Sequence, residues 1–498
     1  MAASEGTTPA LPPLVRSAPR LTDPEWLMWA AERDPVLRST FINISVCEQE
    51  LDFDRFRRRM ATAVASLPRL RSRIVDAILP LTPPAWVEDV VFDLDHHVRR
   101  ATLAVPGTDR QLLDLAARLL EEHFDASHPL WQYTVVDGLA GGGGALLAKM
   151  HHTITDGVGG IRLSAAFVDV GPDDPGAPDE THGDAAPGPD AAGTTDRGRT
   201  PGGRPLRDAV TALVRRPVDI ALQAVSAVTS LASHPGDVPA TAMSLAHLVF
   251  EGNAARSTLW AGPRSTGRRL DVLSVSLPAV KSAAHALGGT VNDVFVTAVA
   301  GGIAAFHRSA GDDVDELRMS MPLSTRTDRS SGGNAFLPVR LLVPAGERDP
   351  RARFAVVHDR LTRTKSQPAL GLAASLAGLA SGLPSAVVAR VARQQTGTVD
   401  FVVSNVRGAP FDLWIAGARI THNYPMGPTG GTAVNVTCLS TGDILDVGIV
   451  TDTAAVTNPA LLVSCLAEGI DEVLAAATDA AGGSSAGPAA GGTAAGST

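Results

Sequence analysis

Cysteine is scarce in this sequence, and its placement excludes two kinds of framework. The 498 residues include three cysteines, and Cys47, Cys438 and Cys465 are far apart and odd in number. This spacing excludes a CxxC zinc site and favours a reduced, cytoplasmic protein over one built on disulfides. The first twenty residues also lack a continuous apolar core, so we expect no signal peptide.

The chain also lacks a strong excess of charge and an unbroken apolar run. It has 43 Lys and Arg against 52 Asp and Glu, and seven of these acids lie in residues 171 to 196, so the remainder is nearly neutral. No basic stripe interleaved with aromatic residues is present, and we therefore expect no nucleic-acid partner. The longest uncharged stretch, residues 366 to 389, is interrupted by prolines and glycines, which favours buried or interfacial helices over a transmembrane helix.

Low-complexity segments divide the chain into two large parts. Residues 171 to 203 contain no large apolar side chain and cannot offset the entropy of ordering, and the segment after Thr478 is similarly simple. We predict a disordered N-terminus, an N-terminal domain, a disordered acidic linker, a C-terminal domain and a low-complexity tail. Their bounds are residues 1–20, 21–170, 171–205, 206–478 and 479–498.

Local patterns predict several helices and strands. The apolar spacing of residues 111 to 124 predicts an amphipathic helix. Two β-prone runs, residues 131 to 136 and 145 to 150, flank a Gly-rich turn and predict a hairpin. Thr290 and Asp293 form a capping-box pattern that opens a helix. Alternating apolar and polar residues indicate further strands at residues 336 to 343 and 432 to 450.

The predicted hairpin ends at two adjacent histidines, in AKMHHTITDGVGG (residues 148 to 160). Successive side chains of a strand point to opposite faces, so His151 and His152 would chelate a metal poorly, and we expect no metal site. A neutral imidazole can instead accept a proton from a hydroxyl group. The residues alone leave open whether the pair supplies such a base or two polar residues at a strand end. A second pair, His96 and His97, lacks the following Asp-Gly turn, and we interpret it as structural.

A series of ordered blocks makes the interpretation more specific. HHTITDG matches the HHxxxDG pattern of coenzyme A-dependent acyltransferases, and the surrounding blocks resemble those of the bacterial wax ester synthase/diacylglycerol acyltransferase family. The resemblance covers about residues 20 to 475. The blocks are LTDPEWLMWAAERDP, PAWVEDVVFDLDHHVRR, HPLWQYTVVDGL, KMHHTITDGVGG, VNDVFVTAVAGGI, MPLSTR, VSNVRGAPFDLWIAGARI and YPMGPTGGTAVNVTCLS.

The resemblance implies an α/β (α+β) fold of two chloramphenicol acetyltransferase-like domains with an active-site tunnel between them. The implied reaction is transfer of a fatty acyl group from acyl-CoA to diacylglycerol or a long-chain alcohol, which forms triacylglycerol or wax ester. Acyl-CoA would be a co-substrate, and no cofactor is expected. The sequence contains no GxSxG elbow, which agrees with direct transfer without an acyl-enzyme.

The resemblance also assigns roles around the histidines. On this basis His152 is the general base, and His151 contributes to packing and site shape. Asp156 resembles the structural acid of the family, which would fix the loop through an ion pair, and Arg326 is one candidate partner. Gly157 permits the backbone turn that follows.

Two residues outside the motif carry both a functional and a structural interpretation. Asn292 could donate a hydrogen bond to developing negative charge or position the substrate, or it could be an ordinary first-turn residue. Trp131 could line the acyl tunnel, or it could be a buried strand tryptophan.

Because the implied acceptor is a lipid, we expect a cytoplasmic protein that could associate with a membrane or lipid droplet. Contact with a membrane or lipid inclusion could be made by the amphipathic residues 206 to 232, with helices packed on the C-terminal domain as the alternative. Two other functions stay open: a condensation-type HHxxxDG enzyme with a different alcohol or amine acceptor, and a lipid-binding protein without turnover. The acceptor, the acyl length and the oligomeric state are not determined by the sequence.

Overall fold

The described part of the chain is built from two large mixed β-sheets, a small two-stranded sheet of residues 72–75 and 85–88, and helices packed on them. A computed structural model describes residues 19–76, 83–155, 160, 163–172, 257–324, 336–365 and 385–483. The strands of these residues are β1 (Thr40–Cys47), β2 (Ser72–Val75), β3 (Ala85–Glu88), β4 (Val98–Thr102), β5 (Trp131–Asp137), β6 (Gly144–His151), β7 (Val168–Asp169), β8 (Arg268–Ser276), β9 (Glu316–Ser324), β10 (Phe336–Pro344), β11 (Phe401–Arg407), β12 (Trp414–Ile415), β13 (Ala418–Met426), β14 (Val434–Thr441) and β15 (Ile444–Asp452).

The α-helices of the same residues lie mostly between strands. They are α1 (Asp23–Ala31), α2 (Phe53–Ser66), α3 (Leu94–His97), α4 (Asp109–Glu121), α5 (Leu277–Ala286), α6 (Val291–Ser309), α7 (Pro350–Lys365), α8 (Ser385–Thr396) and α9 (Pro459–Gly483). Short 3-10 helices occur at Pro35–Leu37, Pro68–Arg71 and Ala140–Gly142.

The first sheet combines strands from both halves of the chain. Its order is β4-β5-β6-β1-β13-β12-β7. Strand β1 pairs antiparallel with β6, with Thr40 opposite His151, and on its other edge with β13, with Ile42 opposite Met426. A strand from the C-terminal half therefore completes the sheet that carries the histidine motif.

The second sheet belongs to the C-terminal half and has the order β10-β9-β11-β14-β15-β8. Helices α6 and α9 pack closely together, and glycines allow this approach. A Cβ atom on Gly302 of α6 would lie 2.6 Å from the carbonyl oxygen of Cys465 in α9. The fold class implied by the resemblance, an α/β (α+β) protein of two acyltransferase-like domains, is confirmed.

The predicted types of the local elements are confirmed, with some differences in their bounds. Strands β5 and β6 form the predicted antiparallel hairpin, and Thr290 and Asp293 form a capping box at the start of α6. Helix α4 occupies the predicted helical segment but ends at Glu121, before residue 124. Residues 432 to 450 contain two strands, β14 and β15, because a turn at Gly442 with φ of 54° separates them.

The predicted linker, residues 171 to 205, lies outside the described residues apart from its first two positions, as does the whole of residues 206 to 232. Their predicted roles and the domain bounds stay predictions. Helix α9 extends to Gly483, into the segment predicted as a low-complexity tail.

No single helix of the described residues combines the length and apolarity needed to cross a membrane. The pair α5 and α6, bent by 96°, reaches that length and composition only together. Most of α6 is buried in the core of the C-terminal half.

Candidate active site

The two histidines are held at the point where β6 ends. The backbone N–H of His151 donates to the carbonyl of Leu130 at 3.0 Å, and the N–H of His152 donates to the carbonyl of Ser39, also at 3.0 Å. The chain then turns, since the N–H of Ile154 donates back to the carbonyl of His151 at 2.9 Å. The motif is therefore fixed between the starts of β1 and β5.

Both ring nitrogens of His151 have partners inside the protein. The side chain is 2% exposed, and Nδ1 lies 2.7 Å from Oγ1 of Thr153 and accepts from the Thr153 N–H at 3.2 Å. Since Nδ1 is an acceptor, the ring proton of the neutral form is on Nε2, which donates to Oε1 of Glu32 at 2.9 Å. This geometry suits His151 for packing and support and leaves neither nitrogen for a substrate.

Glu32 is a component of this site that the sequence analysis did not identify. It follows the last residue of α1, and its Oε1 also accepts from the Ser39 N–H at 2.6 Å. Burial by itself would raise the pKa of Glu32, but the hydrogen bond and charge of His151, the Ser39 N–H and Arg38 together lower it. The carboxylate is therefore ionised at neutral pH. A Glu directly after an apolar helix was the available signal, but its partner lies 119 residues away.

His152 lies in a different environment from His151. Its ring is half-buried, with its centroid 4.7 Å from that of Phe41 on β1. Phe41 points to the opposite face of the sheet from Thr40, the residue paired with His151. The two imidazoles are thus separated as the strand geometry predicts, and His152 is the more accessible of the two.

Trp131 has the contacts of a core residue. Its side chain is 1% exposed, and its indole N–H donates to the carbonyl of Leu70 at 2.8 Å. The ring of His97 stacks on it with centroids 4.3 Å apart, and Nδ1 of His97 bonds to the Trp131 carbonyl at 2.8 Å. Burial lowers the pKa of His97 to about 4, so this imidazole is neutral at pH 7. These contacts fit a structural interpretation of His97, and a tunnel-lining role for Trp131 stays a prediction.

Asn292 is half-buried in the first turn of α6, with Nδ2 3.9 Å from Sδ of Met321. Its neighbour Asp293 caps the helix by accepting from the Thr290 N–H at 2.9 Å and pairs with Nδ1 of His358 at 2.9 Å. Asp293 is therefore structural. Asp156, Gly157 and Arg326 lie outside the described residues, so their roles stay predictions.

Both halves of the chain meet beside the motif. Arg38 and Thr40 from the first half, and Arg268 and Thr429 from the second, line a cavity of about 30 Å³, which has room for about one water. Thr40 is also the cross-strand partner of His151. The histidine motif therefore lies close to the junction between the two halves.

Sequence comparisons identify relatives along nearly the whole chain. Residues 24–295 match the wax ester synthase/diacylglycerol acyltransferase catalytic domain, and residues 332–473 match the WS/DGAT C-terminal domain. A protein of Mycobacterium tuberculosis (strain ATCC 25618 / H37Rv), named "Putative diacyglycerol O-acyltransferase", is 33% identical over 471 residues. The alignment covers 92% of this chain and 93% of that relative.

Solved structures share the fold. The wax ester synthase/diacylglycerol acyltransferase from Marinobacter aquaeolei VT8 aligns with a TM-score of 0.63 and 20% identity, over 92% of this chain and 100% of that chain. A mutant starter condensation domain of rhizomide synthetase, in complex with C8-CoA and Leu-SNAC, aligns with a TM-score of 0.56 and 15% identity, over 93% and 95% of the two chains. The resemblance inferred from the sequence blocks is confirmed: the chain belongs to the wax ester synthase/diacylglycerol acyltransferase family, a family of acyltransferases.

Proposed function

We propose that the protein transfers a fatty acyl group from acyl-CoA to the hydroxyl of diacylglycerol or a long-chain alcohol, with His152 as the general base. The observation that carries this proposal is the difference in burial and hydrogen bonding between the two histidines. His151 is buried with both nitrogens bonded inside the protein, whereas the ring of His152 is half-buried at the end of β6. The greater exposure of the His152 ring supports its assignment as the base.

The proposed chemistry requires a neutral imidazole at His152. It takes the proton of the acceptor hydroxyl as the hydroxyl oxygen attacks the thioester carbonyl carbon. The carbon–sulfur bond then breaks, the ester remains, and coenzyme A leaves as a thiolate. The proton held on His152 passes to that thiolate, which restores the neutral base without an acyl-enzyme.

Several residues support this reaction in the proposal. Asn292 donates a hydrogen bond to the negative charge that develops on the thioester oxygen. Asp156 fixes the loop after the motif, with Arg326 as its ion-pair partner and Gly157 at the turn. A tunnel between the two domains excludes bulk water, which would otherwise compete as the nucleophile.

The choice of substrates rests on the relatives. The condensation domain that shares this fold was solved with C8-CoA, and the Mycobacterium tuberculosis relative is named for diacylglycerol. We therefore propose acyl-CoA as donor and diacylglycerol as the first acceptor to test, with a long-chain alcohol as the second. A membrane or lipid-inclusion surface is the proposed source of the acceptor.

The test measures thiol release from palmitoyl-CoA by the purified protein with dioleoylglycerol or hexadecanol as acceptor. We expect release that depends on the acceptor and falls by at least about 100-fold in His152→Ala. His285→Ala is the matched control, since His285 is an exposed residue of α5. If His152→Ala is as active as the wild type, the assignment of the base is wrong. Acyl-CoA binding with no turnover on either acceptor would favour a lipid-binding protein, and turnover only with an amine would favour a condensation-type enzyme.

A further inference from the structure

One carboxylate oxygen connects to both histidines of the motif. Oε1 of Glu32 accepts from Nε2 of His151 at 2.9 Å and from the N–H of Ser39 at 2.6 Å. The carbonyl of Ser39 in turn accepts from the N–H of His152 at 3.0 Å. The side chain of the first histidine and the backbone of the second therefore share a single anchor.

We propose that Glu32 is a positioning residue for the acyl-transfer reaction, whose carboxylate fixes the ring of His151 and, through Ser39, the place of His152. The inference rests on the proposed role of His152 as the base. Glu32 acts only through these neighbours and makes no proton transfer of its own.

The contacts of His151 explain why its Nε2–H needs a hydrogen-bond acceptor inside the protein. Thr153 donates its backbone N–H to Nδ1, so the ring proton must lie on Nε2. At 2% exposure this N–H cannot reach bulk water, and Glu32 supplies its acceptor. A hydrogen bond to an ionised acceptor is stronger than one between neutral groups, so it holds the ring firmly. The lowered pKa of Glu32 keeps the acceptor ionised.

The segment that carries Glu32 contacts elements of both halves. Its backbone N–H closes the last turn of α1 by donating to the carbonyl of Met28 at 3.2 Å. Two residues later, both carboxylate oxygens of Asp34 accept from Nη1 of Arg393 on α8, each at 2.8 Å. Helix α8, from the C-terminal half, also packs on α1. The anchor of the histidines is therefore tied to the position of the second half of the molecule.

The consequence for the reaction is geometric. Displacement of a catalytic group by about 1 Å can lower a rate by about 100-fold. Loss of the Glu32 acceptor frees the ring of His151 and the Ser39 peptide together, so it should displace His152. Substrate affinity should change less, because the Glu32 oxygen is already engaged by Ser39 and His151.

The experiment compares Glu32→Ala and Glu32→Gln with the wild type in acyl transfer from palmitoyl-CoA. We expect Glu32→Ala to lower kcat by about 100-fold while KM for palmitoyl-CoA changes by less than about threefold. Glu32→Gln keeps an acceptor oxygen but loses the charge, so its kcat should lie between the two. A second readout is the Nε2–H proton of His151, detected by ¹H–¹⁵N correlation in histidine-labelled protein. Its signal should be present in the wild type, where Glu32 accepts this hydrogen bond, and lost to exchange with water in Glu32→Ala.

Glu25→Gln is the matched control. Glu25 is a buried glutamate of α1, seven residues before Glu32, and it accepts from the Thr22 N–H and pairs with Arg69 at 3.2 Å, without contacting either histidine. It should keep the wild-type kcat and the wild-type Nε2–H signal of His151. All assays are run well below the unfolding temperature of each variant.

The outcomes separate this inference from the proposed function. A folded Glu32→Ala with kcat within about threefold of the wild type would overturn the positioning role, even if His152→Ala is inactive. Should Glu32→Ala fail to fold, wild-type kcat in Glu32→Gln has the same meaning. A kcat loss in Glu25→Gln as large as in Glu32→Gln would show that the loss comes from general damage to α1, which would overturn the positioning role. If His152→Ala retains full activity, the proposed function fails and this inference fails with it.

Discussion

Gly448 of β15 lies directly against Pro425 of β13, so that the C-terminal sheet touches the strand that completes the first sheet. A Cβ atom on Gly448 would overlap the carbonyl oxygen of Pro425 and lie 2.9 Å from Sδ of Met426. Since β13 pairs with β1 next to the histidine strand, this contact sets how closely the two sheets approach.

We expect Gly448→Ala to destabilise the fold. The backbone carbonyl of Pro425 cannot move without disturbing β13, so the added methyl group should cost about 1 to 3 kcal/mol in free energy of unfolding. Urea denaturation would measure the loss. Gly262→Ala is the control, because among the described residues no atom beyond its two chain neighbours lies within 4 Å of its Cβ position, and it should stay within about 0.5 kcal/mol of the wild type. Equal stabilities for the two variants would contradict the close packing.

The titration of Lys149 should raise the free energy of unfolding at alkaline pH. Its side chain is 2% exposed, with Nζ 2.8 Å from the Glu122 carbonyl and 4.4 Å from the ring centroid of Phe124. Burial lowers its pKa from 10.5 to about 8, so the unfolded chain binds this proton more tightly than the folded protein does. The charged lysine therefore opposes folding below about pH 8, and this cost fades as the pH rises toward 10.5.

The variant Lys149→Met removes this titration while keeping an unbranched side chain. Relative to Lys149→Met, the free energy of unfolding of the wild type should increase between about pH 8 and 10. Urea denaturation at several pH values measures the difference. A difference that does not depend on pH in this range would show that the buried amine does not lose its proton there.

The titration of His97 should lower the free energy of unfolding at acid pH. Burial against Trp131 and Phe92 lowers its pKa from 6.5 to about 4, so the unfolded chain takes up the proton first as the pH falls. The stability associated with neutral His97 is present above pH 6.5 and is lost as the pH falls toward 4. His97→Phe keeps an aromatic ring in the stack but cannot titrate, so its unfolding free energy should fall less steeply with acid. Parallel pH profiles for the two proteins would refute this assignment.

The titration of His422 should lower the free energy of unfolding as the pH rises through its raised pKa. It lies on β13, and its Nδ1 is 3.0 Å from Oδ1 of Asp446 on β15, which raises its pKa above 6.5 despite partial burial. The charge of Asp109 acts in the same direction. Because the folded state binds the proton more tightly, this stabilisation is complete below pH 6.5 and is lost as the pH rises through the raised value.

The measurement compares His422→Gln with the wild type. The stability advantage of the wild type should shrink as the pH rises above 6.5 through the raised pKa, and it should be reduced by salt because the imidazole is partly exposed. An advantage that grows with pH would show that the pair stabilises the neutral ring instead.

The elements that depend on neighbours in the chain could be predicted from the sequence. The hairpin of β5 and β6 follows from two β-prone runs around glycines, and the start of α6 follows from the hydrogen bonds that Thr290 and Asp293 exchange. The alternation of a strand was enough to predict that His151 and His152 face different surroundings. The family was evident because its blocks retain their residues and their order.

The contacts between distant parts of the chain could not be predicted, because they depend on how the elements pack in three dimensions. Strand β13 completes the first sheet because its edge pairs with β1, and Asn423 bonds to Asn43 across 380 positions. Glu32 reaches His151 from 119 residues away. Periodicity reports which face of an element is apolar, but not which other element covers that face or which buried donor meets which acceptor. Those choices depend on packing and hydrogen-bond geometry in three dimensions, and at Glu32 they define the support of the proposed base.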